Sequence, residues 1–178
     1  MRGLIMGLVL LAVLGAACQP APAIDLGGDV PTFKFGSPAF AEGATIPVDF
    51  TCGGQDKPPE LRWSEAPANT RSFALIMDDP DAPGGTFTHW VLFNIPATVS
   101  GLTEGDTTTG LSGANGFGKA GYGGPCPPPG NAHRYFFKLY ALDVEAVNLT
   151  AGAARTAVEA ALKSHIIGQA QLMGRYGR

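Results

Sequence analysis

Apolar and polar residues alternate over short stretches that are separated by turn formers. Thr32-Phe33-Lys34-Phe35 alternates as a half-buried strand does, and Ile46 to Thr51 predicts a second short strand. Leu61-Arg62-Trp63 predicts a brief strand after the Pro58-Pro59 pair, which forbids regular helix. The strongest strands are expected at Ser72 to Met77, ended by Asp78-Asp79-Pro80, and at His89 to Ile95, ended by Pro96. Tyr135 to Leu142 is apolar on both faces, as a central strand is. One segment repeats at helical spacing: in Ala151 to Ser164, Val158, Ala161 and Leu162 share a face, with Arg155, Glu159 and Lys163 between them. Ala170, Leu172, Gly174 and Tyr176 then alternate with Gln169, Gln171, Met173 and Arg175, which predicts a terminal strand. Many short strands with one late helix predict a mostly β fold, an antiparallel β-sandwich.

Composition agrees with this pattern. The 178 residues include 25 glycines and 15 prolines, which suits turns between short strands, and only 15% are charged. Ten glycines fall between Gly101 and Gly130, and a loop of that length in a compact domain is usually functional. The formal charge is −3 and no basic block occurs, which argues against nucleic acid as a partner. At the N-terminus, Arg2 precedes an apolar run from Gly3 to Ala17 that is too short for a comfortable membrane span and reads as a signal peptide. Leu14-Gly15-Ala16-Ala17-Cys18 resembles a bacterial lipobox, with Leu14 one place early and Gly15 where a branched aliphatic residue usually stands. The expected organisation is a signal peptide over 1–17, Cys18 as a lipidated first mature residue, a tether over 18–31 and one domain over 32–178. The membrane then enters only through an N-terminal lipid anchor at the bacterial envelope. A soluble secreted or periplasmic form, cleaved after Ala21-Pro22-Ala23, is the alternative. Export also permits Cys52 and Cys126 to form a disulfide, although two small buried thiols fit the sequence equally well.

Asp79-Pro80-Asp81-Ala82-Pro83 is the most informative stretch for chemistry. Prolines at 80 and 83 restrict the backbone and fix the directions of the carboxylates. A Pro-rich turn whose Asp side chains cap local amides would have the same sequence. If the flanking strands form an antiparallel hairpin, however, the end of the first lies beside the start of the second, and Asp79, Asp81 and His89 share one rim. A carboxylate there would tend to keep the imidazole protonated and able to donate to an anionic oxygen. His133-Arg134-Tyr135 adds an imidazole, a guanidinium and a phenol at another strand start, with Arg134 expected to pair internally with a carboxylate.

Asp79-Pro80-Asp81-Ala82-Pro83, then His89-Trp90-Val91-Leu92-Phe93-Asn94-Ile95-Pro96, then Gly124-Pro125-Cys126-Pro127-Pro128 through His133-Arg134-Tyr135, resemble the phosphatidylethanolamine-binding protein family. The bacterial branch known as Raf kinase inhibitor-like proteins is the nearest in pattern, and the likeness runs from about Phe33 to Arg178. The resemblance implies a β-sandwich with one main C-terminal helix and long loops that form a small anion pocket. It implies ligand-binding roles for Asp79, Asp81, His89, Pro127, Pro128, His133 and Tyr135, and a cis peptide between Ala82 and Pro83. Phe50 stands where the branch usually has Tyr, so any polar contact from that position is lost.

The expected function is non-catalytic binding of a small anionic ligand such as phosphate or a phospholipid headgroup, with no cofactor and no metal. A protein–protein regulator, for example an inhibitor of an enzyme or kinase, is the alternative, with the 101–130 loop as its recognition surface. A hydrolase has less support: two Asp and two His suffice for acid–base chemistry, but Gly-x-Ser-x-Gly, His-Glu-x-x-His and a phosphate loop are all missing.

Overall fold

The structure is a computed structural model, and it describes Ile24 and residues 29–178. The signal peptide, Cys18 and most of the tether lie outside the described residues.

Eight strands and one helix are described: β1 (Lys34–Gly36), β2 (Leu61–Ser64), β3 (Ser72–Asp79), β4 (Phe87–Pro96), β5 (Gly101–Leu102), β6 (Leu111–Ser112), β7 (His133–Leu142), α1 (Arg155–Leu162) and β8 (Ile166–Tyr176). They form a three-stranded sheet in the order β1-β2-β5 and a five-stranded sheet in the order β6-β4-β3-β7-β8. Every pairing between these strands is antiparallel. All eight residues of β3 are buried, because it lies between β4 and β7 and is covered on both faces. Strand alternation divides its side chains. Phe73, Leu75 and Met77 enter the core between the two sheets, with Trp63 from β2 and Tyr135, Phe137 and Leu139 from β7. Ala74 and Ile76 enter a second core on the outer face, where Val158 and Leu162 of α1 close over Val91, Phe93 and Tyr140. The continuous apolar runs at β3 and β7 reflect this two-sided burial.

Two elements differ from their expected form. Ile46 to Thr51 is not a strand: Pro47 sets φ at −58°, and Val48–Phe50 winds into a 3-10 turn with Phe50 N–H donating to Pro47 O and Thr51 N–H to Val48 O. Ile46 still enters the core, and Phe50 is buried behind it. The helix is shorter than predicted. Gly152 takes a φ of +81° and Ala154 remains extended, so α1 begins at Arg155. The Cys52–Cys126 pair is disulfide-bonded, with Cα atoms 5.4 Å apart across a sequence separation of 74. A link closing so long a loop removes much freedom from the unfolded chain. It ties the segment after the 3-10 turn to the Pro-rich loop ahead of β7.

A buried charge cluster lies on the helix side of β3. Asp78 is fully buried and accepts from Lys138 Nζ at 2.9 Å and from Arg155 Nη1 and Nη2 at 2.6 and 3.0 Å. Arg155 also donates to Glu159 one turn along the helix and to Thr88 on β4. Removing the carboxylate takes from Lys138 and Arg155 the buried anion that they share. Asp78→Ala is therefore expected to lower stability by about 3–5 kcal/mol, read by urea denaturation. A loss under ~1 kcal/mol would mean the cluster is not held as described.

Candidate functional site

Antiparallel pairing brings three chain segments to one end of the large sheet. β3 finishes there, while β4 and β7 start there. Asp78 lies opposite Thr88 on one side and Phe136 on the other, and Asp79 lies opposite Phe87. On β4 the register slips between Met77/Trp90 and Asp78/Thr88, which leaves His89 as the extra residue of a β-bulge. A bulge re-aims a side chain, and here it frees His89 to reach the loop at Gly123. Nδ1 of His89 lies 2.7 Å from Gly123 O, and the His89 carbonyl accepts from Gly123 N–H at 2.9 Å.

Asp79 is buried, and each of its oxygens has a local partner. His133 Nδ1 lies 2.8 Å from its Oδ2, and Asp81 N–H donates to its Oδ1 at 2.8 Å. Asp81 in turn accepts from Arg134: from the backbone N–H and Nε at 2.9 Å each and from Nη2 at 2.6 Å. Those guanidinium bonds hold the Asp81 carboxyl below its ordinary range, against the opposing effect of burial. Arg134 is thus the internal partner expected of it, and its guanidinium also lies over the Phe136 ring.

Tyr135 is fully buried beside them, and its hydroxyl meets no partner at hydrogen-bond geometry. Burial, and after it the charge of Asp79 and a weak approach by that carboxylate, push the phenol far above its ordinary value, so the hydroxyl keeps its proton. The ring of His89 stands edge-on to Tyr135 at 5.2 Å between centroids, to Phe87 at 5.1 Å and to Phe117 at 5.5 Å.

The structure therefore brings Asp79, His89, His133 and Tyr135 together and uses Asp81 to hold Arg134. Two expectations are corrected. His89 is not kept protonated by a carboxylate: burial lowers its pKa more than Asp79 and Asp78 raise it, and the partner of Asp79 is His133. The Ala82–Pro83 peptide is trans, the form that even a prolyl bond favours by about 0.5–1 kcal/mol. Of the two prolines, Pro127 is buried with its carbonyl accepting from Arg178 Nε, and Pro128 is exposed.

Several residues of the site were not singled out from the sequence. Phe87 and Phe117 pack edge to face at 4.8 Å, and Phe117 keeps 46% of its surface exposed. Glycines make room for both rings: a Cβ on Gly116 would stand 2.6 Å from Phe87, and one on Gly123 would stand 2.6 Å from Phe117. Asn115 shapes this loop by accepting from Phe117 and Lys119 N–H and donating to Gly121 O. Asp56 accepts from Gly124 N–H, and Tyr122 donates to the Phe50 carbonyl at 2.6 Å. With the disulfide, these bonds clamp the Gly123–Pro127 loop onto the 3-10 turn. The only signal in the sequence was the density of glycines.

The state of His89 sets a pH response. Its folded pKa lies below the ordinary 6.5, so the unfolded chain binds a proton that the folded chain refuses. This contribution is fully present above pH ~6.5 and is lost as pH falls toward the folded pKa. Nitrogen-detected NMR at pH 7.5 is expected to find His89 neutral with its proton on Nδ1 and a titration midpoint below 6.5. An imidazolium at pH 7.5 would contradict this.

Comparison with known proteins agrees with the fold and the segment order. The family profile described as phosphatidylethanolamine-binding protein matches residues 36–177. A protein of Aquifex aeolicus named UPF0098 protein is 48% identical over 148 residues, 80% of this chain and 86% of its own length. A Mycobacterium tuberculosis protein carrying the lipoprotein name LppC is 41% identical over 162 residues, 90% of this chain and 77% of its own length. Among solved structures, the phosphatidylethanolamine-binding protein homologue CT736 of Chlamydia trachomatis superposes with a TM-score of 0.79 at 37% identity, covering 83% of this chain and 98% of that one. YbcL of E. coli, described as a new member of the mammalian family, superposes with a TM-score of 0.77 at 34% identity, covering 82% and 98%. With nearly the whole described domain matched in both sequence and fold, the chain belongs to the phosphatidylethanolamine-binding protein family.

Proposed function

We propose that the protein binds a small anionic ligand, phosphate or a phosphate-bearing headgroup, at the end of the large sheet and does not transform it. The buried Tyr135 hydroxyl carries this reading. It keeps its proton and has no well-formed partner, and a buried donor left unsatisfied costs about 1–3 kcal/mol. An acceptor oxygen from a ligand would satisfy it. His89 stands edge-on to the phenol ring, Asp79 acts on the hydroxyl and holds His133, and Asp81 fixes Arg134. Pro127 and Pro128, in the loop clamped by the disulfide, form the outer wall in this reading. A binding role is supported by the chemistry of the set. Its acidic groups are engaged by His133 and Arg134, and the sequence has no recognisable nucleophile motif.

Tyr135→Phe removes only the orphaned hydroxyl. Calorimetric titration with inorganic phosphate and with phosphoethanolamine is expected to find binding weakened about tenfold or more in this variant, with thermal stability equal to or above that of the unaltered protein. Unchanged affinity would remove the observation on which the reading rests.

The same reading places the protein at the bacterial envelope, held by lipid on Cys18, and the LppC relative supports it. Intact mass of the protein purified from membranes is expected to begin at Cys18 with a diacylglycerol-containing adduct. An unmodified chain starting near Ile24 would favour the soluble exported form.

A further inference from the structure

The described part of the tether is bound to the domain. Ile24 and Val30 pack against the outer core of the large sheet, which also holds Tyr140 and the α1 residues Val158 and Leu162. A backbone hydrogen bond links Ile24 to the Tyr140 hydroxyl. Farther along, Gln169 N–H of β8 donates to Pro31 O at 2.9 Å, and Thr32 forms a parallel bridge with Gln169. Tyr140 and Gln169 lie opposite each other in the β7–β8 register, so both attachments fall on one level of the sheet. That level is near the Leu142/Ile166 end, whereas the candidate site is at the His133/Tyr176 end. Seven residues of β7 separate His133 from Tyr140, about 23 Å along a strand.

Only six residues separate Ile24 from Cys18, the position proposed to carry lipid. A chain of that length spans at most about 20–22 Å when fully extended, and full extension costs chain entropy. Turning the site squarely onto the anchoring membrane would lift Ile24 about 23 Å or more above it, beyond the reach of the chain. We propose that the anchored domain rests on the membrane by the end of the large sheet where β7 finishes and β8 starts, and that the candidate site opens away from that membrane. This rests on the proposed lipid anchor at Cys18 and adds the surface that meets lipid. A ligand then enters the site from the aqueous side and not from the leaflet that holds the anchor. A tether left free along all of residues 18–31 would reach roughly twice as far and would impose no such direction.

Resonance energy transfer to a lipid-borne acceptor tests this in the lipidated full-length protein. A donor dye is attached either at Ser164→Cys, exposed just ahead of β8, or at Asn131→Cys, exposed just ahead of β7. The protein is held by its own lipid on phosphatidylcholine vesicles that carry the acceptor on outer-leaflet headgroups. Transfer is expected to be stronger from position 164, by about twofold or more for ends set apart by a strand of this length. A flexible Gly/Ser insertion between Ala23 and Ile24, long enough to double the reach of the chain, is expected to remove the difference. Equal transfer from the two positions, or stronger transfer from 131, overturns the inference and leaves the anchor standing. A difference that survives the insertion also overturns it, because the tether would not be what sets the direction. Protein that leaves the vesicles and shows no lipid on Cys18 by intact mass overturns the anchor and the inference together.

Discussion

Two adjacent carboxylates on β3, Asp78 and Asp79, are almost completely buried, and a buried charge must find a partner or cost several kcal/mol. Because strand side chains alternate, the pair is split between the two faces of the large sheet. Asp78 faces the helix side, where Lys138 of β7 and Arg155 at the first turn of α1 neutralise it. Asp79 faces the space between the sheets, where His133 of β7 meets it. Strand β7 thus supplies one partner to each face, and α1 is held to the sheet by an ion pair as well as by Val158 and Leu162. The candidate site depends on this division. If β3 slipped by one residue, both carboxylates would exchange faces, and neither set of partners could reach them.

The remaining site residues are held by backbone groups. The β4 bulge directs His89 to the Gly123 carbonyl, and the Gly123–Pro127 loop is in turn fixed by Asp56, Tyr122 and the Cys52–Cys126 bond. His89 and the loop it bonds are therefore held in place by the fold itself, which would limit the ordering cost of the proposed binding. The unsatisfied Tyr135 hydroxyl is the one element of this shell that the fold leaves at a loss. Elsewhere in the described core the Trp63 indole N–H shares that condition, but it lacks a neighbouring His or Asp set to suggest a ligand.

Much of the fold was legible in the sequence because strand periodicity and two-sided burial leave a direct trace. The apolar runs at Ser72–Met77 and Tyr135–Leu142 and the alternation before Tyr176 all became strands of the large sheet. Ile46 to Thr51 misled because its apolar residues fit a strand while Pro47 dictates the local turn. The hairpin argument placed Asp79 and His89 at one end correctly, since antiparallel pairing alone requires it. It could not show that the carboxylate would choose His133, because that depends on which side of β3 the strand β7 packs. Phe87, Phe117 and Asn115 were illegible for a related reason: their roles arise from a Gly-rich loop whose path is set by contacts distant in sequence. The Asp78–Lys138–Arg155 cluster joins residues 60 and 77 positions apart, and no local pattern announces it.

A crystal structure of the protein soaked with phosphate at pH 8 tests the central claim most directly. The account predicts a phosphate oxygen within about 2.5–3.0 Å of Tyr135 Oη, with His89 still bonded through Nδ1 to Gly123 and His133 still on Asp79. A Tyr135 hydroxyl that remains unpartnered while phosphate binds elsewhere, or not at all, would contradict it.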